Sequence, residues 1–514
     1  MGRNFKGDII MNGRNLNRRE FMKLASLGLA GGYLALKPDL SEAMMHRGGD
    51  GVINPPPGDL LLDPVEIISS SGVVDAELRV QVASINLNGA AANLLTYNGF
   101  FPAPTIRVNK GDQVRLRFIN SLPFTTSKNI LGHTRNMTNL HTHGWHVSPS
   151  GNSDNIFNDF MPGDAFLYEY DTSRQEPGTL SFYHPHVHGT VAEQIWGGLA
   201  GALVVEDETD ILAEYETHIL ILKDIRLQGS EPEPYNFIMD YRNGKEGDIV
   251  MVNGQVNPQL PIMPGQVHRW RILNASTARF YKLSLENHTM FLIGTDGGLL
   301  DKPYPLSNIL LSPGERIDIL VKANQTPGTY RLLSLPYNRG GMMMGMGGNS
   351  RQTVTLMTVP YDGIPVNDSI TVEINPNAKR LKIDIGSLPR RRLVLSMRMG
   401  RGLINGRDFS VNPYTVKSHV GTYEVWEIIN QSGMDHPFHQ HINPAQILSI
   451  KGGNAAYASL YPSIPAWKDT IIVPKMGGSV TMLVPVKDFS GRTVFHCHIV
   501  EHEDIGMMGI WKIV

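Results

Sequence analysis

A single cysteine, Cys497, is all that 514 residues contain, so no disulfide forms within the chain and cysteine usage does not report a redox compartment. Neither sign of charge is in excess: 46 Lys and Arg face 48 Asp and Glu, a net of −2. That balance argues against nucleic acid or an anionic membrane surface as a partner. No long hydrophobic run follows residue 45. The mild apolar stretch before it, LASLGLAGGYLAL over 24–36, is too short and too rich in glycine to span a bilayer stably. No nucleic-acid partner and no membrane partner is therefore expected. What the chain has in plenty is punctuation. Its 52 Gly and 33 Pro make about one residue in six, against roughly one in eight on average, which fits many short strands joined by turns.

The N-terminus carries its own signal. NLNRREFMK over 15–23 sets Arg18 and Arg19 ahead of Phe21 and the apolar stretch. This resembles a twin-arginine export signal, with Asn17 where Ser or Thr is more usual. Ser41 and Ala43 place small residues at −3 and −1 of a cleavage after Ala43. The expectation is a signal over 1–43, recognition by the twin-arginine export machinery, and a periplasmic or extracellular location.

Three segments read alike: YNGFFPAPTIRVNKGDQVRLRFINSL from Tyr97, VNGQVNPQLPIMPGQVHRWRILNAS from Val252, and INGRDFSVNPYTVKSHVGTYEVWEIINQS from Ile404. Each opens on Asn-Gly, passes a proline, and closes a run at Asn120, Asn274 or Asn430. Asn-Gly favours a tight turn with positive φ. Runs such as VRLRFIN and YEVWEIIN alternate with period 2, the mark of half-buried strands. The Asn-Gly pairs begin at 98, 253 and 405, a domain-sized repeat. The fold predicted is all-β, with three consecutive Greek-key β-sandwich domains over 65–210, 211–365 and 366–514. EDETD and VPYDGIPVND interrupt the strand pattern near the two boundaries. Residues 44–64, with PPPGD in their midst, are expected to form an unstructured lead-in.

The 18 histidines are not scattered. His141 and His143, His184 and His186, His439 and His441, and His496 and His498 form four His-x-His pairs, two toward each end of the chain. On a strand, positions i and i+2 share a face. One such pair is ordinarily a polar strand edge. Four, one of them straddling the only cysteine, point to a cluster of metal ions. Eight imidazoles suit three ions with positions left open for a small ligand.

Around Cys497, FHCHIVEHEDIGMM adds His502 and Met507. Thiolate, imidazole and thioether suit a blue-copper electron-transfer site, which needs a trigonal His₂Cys set with a weak axial Met. Zinc is the alternative, but it would not need the thioether arm. His436, three residues before the third pair and outside its alternation, is the candidate for the missing imidazole. Met508 is the neighbouring alternative to Met507. His146 and His188 flank the motifs and fall outside the eight. The middle segment holds no such pair; its histidines, His268 and His288 among them, stand alone there.

With HTHG, HPHVHG, HPFHQH and HCHIVEHEDIGMM all present, the chain from about residue 65 to 514 resembles a three-domain multicopper oxidase of the laccase, ascorbate oxidase and bacterial cuprous oxidase family. The resemblance implies cupredoxin-like domains and four copper ions. By motif, His436, Cys497, His502 and Met507 match the type 1 ligands, and His141 and His439 the type 2 pair. His143, His184, His186, His441, His496 and His498 match the type 3 ligands. What this implies is one-electron oxidation of a small reducing substrate at the type 1 site, coupled to four-electron reduction of dioxygen to water at a trinuclear cluster. That cluster would lie between the end domains, with the middle domain as a spacer. Glu503 occupies the family's acidic position. Asp154, about two residues farther from HTHG than the family pattern, is the second carboxylate expected to relay protons.

Residues 336–349 read PYNRGGMMMGMGGN, with four Met within 342–346. Soft thioethers suit Cu(I). The expected reducing substrates are therefore Cu(I) and phenols. A plain laccase or a bilirubin-oxidase-like enzyme is the alternative within the class. A copper nitrite reductase, which usually has two such domains, is a more distant one. So is a non-catalytic cupredoxin protein, whose known kinds have lost copper ligands that this chain keeps. A monomer is expected.

Overall fold

The computed structural model describes residues 8–11, 14–16, 52–207, 210–341, 352–409 and 414–514. The repeated segments take the same shape three times. Asn98, Asn253 and Asn405 adopt positive φ of 57°, 50° and 53°. Each side-chain oxygen accepts a backbone N–H from the preceding part of its own unit: Arg79, Ile221 and Val394, at 2.7, 2.8 and 2.8 Å. Asparagine suits this place because it tolerates the left-handed region and bonds locally.

The strands that follow are Gln113–Asn120, Val267–Asn274 and Thr422–Asn430. Gln113–Asn120 buries alternate side chains, as its pattern predicts. Val267–Asn274 is buried throughout, because its polar face carries Arg269 onto Asp318 inside the molecule. The closing asparagines explain themselves. The Nδ2 groups of Asn120, Asn274 and Asn430 each donate to two backbone carbonyls, at least one of them in a loop, at 2.7 to 3.1 Å. Each therefore ties a strand end to the loops beyond it, where backbone carbonyls would otherwise lack donors.

Three β-sandwich units result. In the first, a sheet containing Glu66–Ile68, Ala103–Val108, Gly201–Val205, Leu180–His184 and His141–His143 faces a four-stranded sheet. The four strands are Ala165–Asp171, Gln113–Asn120, Val73–Leu87 and Ala90–Tyr97. The middle unit has a six- and a five-stranded sheet, the third two five-stranded sheets. One parallel pairing recurs in all three: Val73–Leu87 with Gln113–Asn120, Glu216–Ile225 with Val267–Asn274, and Arg390–Arg398 with Thr422–Asn430. Parallel neighbours need a crossover, so this is Greek-key wiring rather than a meander.

The units share apolar seams. Leu180, Phe182 and Val204 of the first pack on Ile219, Ile221 and Leu273 of the middle one. Trp196, Tyr235, Tyr241, Val500 and Ile505 bring all three together. The lead-in is not loose over its described part. Val52–Ile53 pairs in parallel with Thr353–Pro360, and Gly58 and Leu61 donate to the Asn257 and Gln259 carbonyls at 2.8 Å each. Proline and glycine remove donors and side chains from 54–58, yet carbonyls and amides at its ends still find the middle unit's edge. Among the described residues no helix is long and apolar enough to cross a membrane.

Candidate metal centre

Strand pairing gathers the histidines. His141–His143 lies against Leu180–His184, with His184 opposite His141. His436–Gln440 lies between Gly491–Cys497 and Thr470–Val473, with His439 opposite both His496 and Thr470. The two groups meet across the seam of the first and third units. His186 Nε2 and His441 Nε2 each approach His496 Nε2 at 3.2 Å. The His141 ring stacks on His441 with centroids 3.9 Å apart, and His143 on His439 at 3.6 Å. All eight are at most 2% exposed.

Their free nitrogens converge. Donor atoms of His143, His184 and His498 lie within 4.8 Å of one another, as do those of His141, His143 and His439, and of His439, His441 and His496. Second contacts fix which nitrogen stays free. His141 Nδ1 meets the Asp154 carboxylate at 2.9 and 3.0 Å, and Asp154 also accepts the Thr142 N–H at 2.9 Å. His184 Nδ1 donates to the Pro185 carbonyl at 2.9 Å, His439 Nδ1 to that of Asp469 at 3.0 Å, and His496 Nδ1 to that of Cys497 at 3.1 Å. His143 alone is held by Nε2, which meets Asp469 Oδ1 at 3.1 Å.

Nε2 of His141, His184 and His439, Nδ1 of His143, His186 and His441 and both nitrogens of His498 are all buried without a hydrogen-bond partner. Such orphans are costly. Burial also lowers the His141, His143, His184, His186, His441, His496 and His498 pKa values, so the rings are neutral and their lone pairs available. Neutral imidazoles with converging lone pairs fit metal ions.

On a strand, His496 and His498 face one way and Cys497 the other. Cys497 Sγ lies 3.3 Å from His436 Nδ1 and 3.6 Å from His502 Nδ1, and those nitrogens are 3.1 Å apart. His436 Nε2 is engaged by Ser432 Oγ at 2.7 Å and His502 Nε2 by the Arg242 carbonyl at 3.2 Å, which turns both Nδ1 atoms to the sulfur. Burial pushes the Cys497 thiol well up and His436 down to about 3, so a thiolate forms here only against a cation. A short helix, Val500–Asp504, presents His502. The chain then turns back: Met507 N–H donates to the His502 carbonyl at 2.8 Å and Cys497 N–H to that of Met507 at 3.0 Å. Met507 is fully buried. Gly402 is required behind it, since a Cβ there would lie 2.6 Å from Met507 Cβ and 2.9 Å from the His502 carbonyl oxygen.

Both predicted carboxylates reach the histidines. Asp154 does so at His141. Glu503, fully buried, sets its oxygens 3.3 Å from His186 Nδ1 and 3.1 Å from His496 Nδ1. Burial raises the Asp154 carboxyl to about 7 and pushes Glu503 well up. The flanking histidines sit outside the cluster. His146 bridges units through the Ile442 carbonyl at 2.9 Å and Asp488 at 3.0 Å. His188 packs on Phe409.

Sequence reasoning missed Asp469 and Arg316. Arg316, from the middle unit, donates to both Asp469 oxygens at 2.8 and 2.6 Å and to the Leu180 carbonyl of the first unit at 3.0 Å. Gly314 comes so near that a Cβ would stand 2.9 Å from the His498 ring. The middle unit thus presses on the cluster and is more than a spacer. No motif marks these residues, because the Arg316–Asp469 pair spans 153 positions.

A His₂Cys set on one face of a strand and histidine triads on the other match the arrangement of type 1 and trinuclear copper sites. Three family models, each described as multicopper oxidase, match residues 79–210, 213–363 and 379–514. The chain belongs to the multicopper oxidase family. It is similar to a laccase of Bacillus subtilis, 30% identical over 80% of this chain and 88% of that protein. It is also similar to the multicopper oxidase mco of Staphylococcus aureus, 29% identical over 88% of this chain and 91% of the relative. Among solved structures, a Campylobacter jejuni multicopper oxidase described as a metallo-oxidase superposes with a TM-score of 0.76 at 29% identity, covering 89% of this chain and 96% of that one. The fold is accordingly a tandem of cupredoxin-like sandwiches. This multicopper oxidase is an enzyme that couples oxidation of small reducing substrates to reduction of dioxygen.

Proposed function

We propose that this oxidase takes electrons from Cu(I), and also from phenols, at a site beside His436. The observation that carries the reading is a cavity of about 240 Å³ lined by Gly341, Met397, Gln431, Ser432, Gly433 and Met434. Ser432 is the residue that engages His436, so a donor in this cavity is one side chain from the imidazole. Two thioethers in its wall suit Cu(I), and its room suits a small ion better than a large aromatic substrate. The methionines of 342–346 continue the chain directly from Gly341 but lie outside the described residues.

Four copper ions are the reading of the donor sets. His436, Cys497, His502 and Met507 would hold one, and His141 with His439 a second. His143, His184 and His498 would hold the third, and His186, His441 and His496 the fourth. Bound there, copper supplies one-electron chemistry at the cysteine and the multi-electron reduction of dioxygen among the histidines. The protein's part is to bind, orient and protonate. Asp154 and Asp469 hold imidazoles in fixed tautomers, and the Cys497 main chain joins the two sets through its two neighbours. Glu503, a buried acid touching two rings, holds a proton where dioxygen reduction needs one, and Asp154 is the second such group.

Export under a twin-arginine signal over 1–43 and a periplasmic or extracellular location remain part of this reading, supported by the Arg18–Arg19 pair. So do domains at 65–210, 211–365 and 366–514, which the three family matches resemble in extent, and a monomeric state.

The test compares turnover of the copper-loaded enzyme with Cu(I), Fe(II), Mn(II) and a dimethoxyphenol, before and after deletion of 342–346 and in Met397→Leu. Selective loss of Cu(I) turnover is expected. Equal loss for Cu(I) and the phenol, or no change in either, would leave a plain laccase as the better reading.

A further inference from the structure

The middle unit has no His-x-His pair, yet the sheet builds a histidine pair there. Glu216–Ile225 and Val267–Asn274 run in parallel with Glu216 opposite His268 and His218 opposite Trp270. Glu216 and His218 are two residues apart on one strand and share a face. The two imidazole rings come to 5.3 Å between centroids. The Glu216 carboxylate lies between them, one oxygen 3.2 Å from His218 Nε2 and the other 3.4 Å from His268 Nε2. Asp63, in the lead-in segment, brings an oxygen to 3.6 Å from His218 Nδ1.

At 3.2 to 3.6 Å these contacts are near enough for charge attraction, and despite burial the Asp63 and Glu216 carboxylates hold the His218 imidazole above its ordinary pKa. All four ring nitrogens of His218 and His268 are buried without a hydrogen-bond partner, and His268 is fully buried. Glu216 is itself anchored, since Gln266 Nε2 donates to its second oxygen at 3.0 Å. Asp368, which accepts the Val267 N–H at 3.0 Å, adds a further negative charge nearby. Two orphaned imidazoles facing a shared carboxylate, with another alongside, form a mixed nitrogen–oxygen donor set of the kind that zinc and its neighbours take. Nitrogen–oxygen separations of 3.2 to 3.4 Å are what ligands at about 2.0–2.1 Å from one tetrahedral ion would show.

We propose that His218, His268 and Glu216 form a binding site for one divalent transition ion of the zinc type, separate from the cysteine and the histidine cluster, with Asp63 on the opposite nitrogen of His218 orienting that ring. Through His218 the ion would also fix Asp63 against the middle unit, a structural role rather than a redox one. The ligands come from two neighbouring strands of one sheet, so no movement of the units is needed to close the site.

The test uses holoenzyme holding four copper ions, stripped of any fifth, weakly held Cu²⁺ by brief chelation, and Co²⁺ as probe. The wild type should take up one Co²⁺ per chain with the intense visible bands of tetrahedral cobalt, and Zn²⁺ should displace it. Glu216→Gln, a change at an exposed carboxylate, and His218→Ala should each weaken Co²⁺ binding by at least about tenfold. The cysteine-dependent blue absorbance should be unchanged in both, which keeps loss of this site distinct from loss of the copper centre. No Co²⁺ uptake by the wild type, or equal uptake by both variants, would overturn the proposal.

Discussion

At the scale of the residue, Cys497 is unusual in having its two neighbours and its own side chain assigned to different sites. The alternation of a strand does this without any special geometry. The sulfur is buried among apolar side chains, where its thiol is pushed up, so it is a ligand in waiting rather than an exposed nucleophile. Cys497→Ser should abolish the blue absorbance and turnover, while electron paramagnetic resonance still reports copper among the histidines. Residual blue colour in that variant would move the type 1 site away from residue 497. Glu503 and Asp154 show the same economy of placement. Each approaches an imidazole at Nδ1, away from the nitrogen that faces the cluster, so one carboxylate both orients a ring and places an acid beside the histidines.

At the scale of the element, helix Val191–Gly197 in the first unit has no side-chain cap from Thr190. Its free first-turn amides, which are buried, are satisfied from the third unit. Asp504 accepts the Gly189 and Ala192 N–H groups at 2.7 and 2.8 Å and the Val191 N–H at 3.4 Å. A capping carboxylate placed from another unit locks the helix carrying His502 against the turn that follows His186 and His188. Asp504→Ala leaves those buried donors unpaired and should cost about 2 kcal/mol. A fall of a few degrees in the apparent Tm of the copper-loaded enzyme is the expected readout; an unchanged Tm would show that water replaces the carboxylate.

Which elements could be read in advance follows from range. The Asn-Gly turns and their closing asparagines were legible because their meaning is local: positive φ at Asn98, Asn253 and Asn405, and strands ending at Asn120, Asn274 and Asn430. The eight histidines were legible because period 2 is local as well, and His436 because it shares a motif with His439. Ser432, Asp469, Arg316 and the cap at Asp504 carry no such mark. Their partners arrive through tertiary packing, and nothing in KDT or GERI announces a histidine. The His218–His268 pair belongs with them, since only the parallel register brings those two positions together. The order of the lead-in over 52–62 was hidden for a related reason: its prolines read as loop, although its flanking amides and carbonyls pair with the middle unit.

At the scale of the whole molecule, the three units are held by a charged knot as well as by apolar seams. Lys468 Nζ lies 2.9 Å from Asp296 and 2.8 Å from Glu315, and Arg316 chelates Asp469, all of them buried. Burial alone would raise the Asp469 carboxyl, but the Arg316 guanidinium outweighs it and holds the group well below the usual range. A carboxylate so depressed contributes stability that is present above its unfolded pKa of about 3.9 and is lost as the pH falls through its folded value. Arg316→Leu removes one partner of a buried pair and should cost about 3–5 kcal/mol. It should also move the acid unfolding midpoint, followed by tryptophan fluorescence, to higher pH. Unchanged stability and an unchanged midpoint would mean that Lys468 alone holds the knot.

His143 meets Asp469 across 326 positions of sequence. A ribosome emits the first of these residues long before the second, and most of two further sandwiches must be synthesised and folded in between. Non-local closure of this kind comes late in folding. The growing chain therefore passes through most of its synthesis with histidines in hand but no complete cage for a metal. Copper can be captured in full only by a finished molecule, so occupancy of the cluster is itself a certificate that both ends of the chain have folded and found each other.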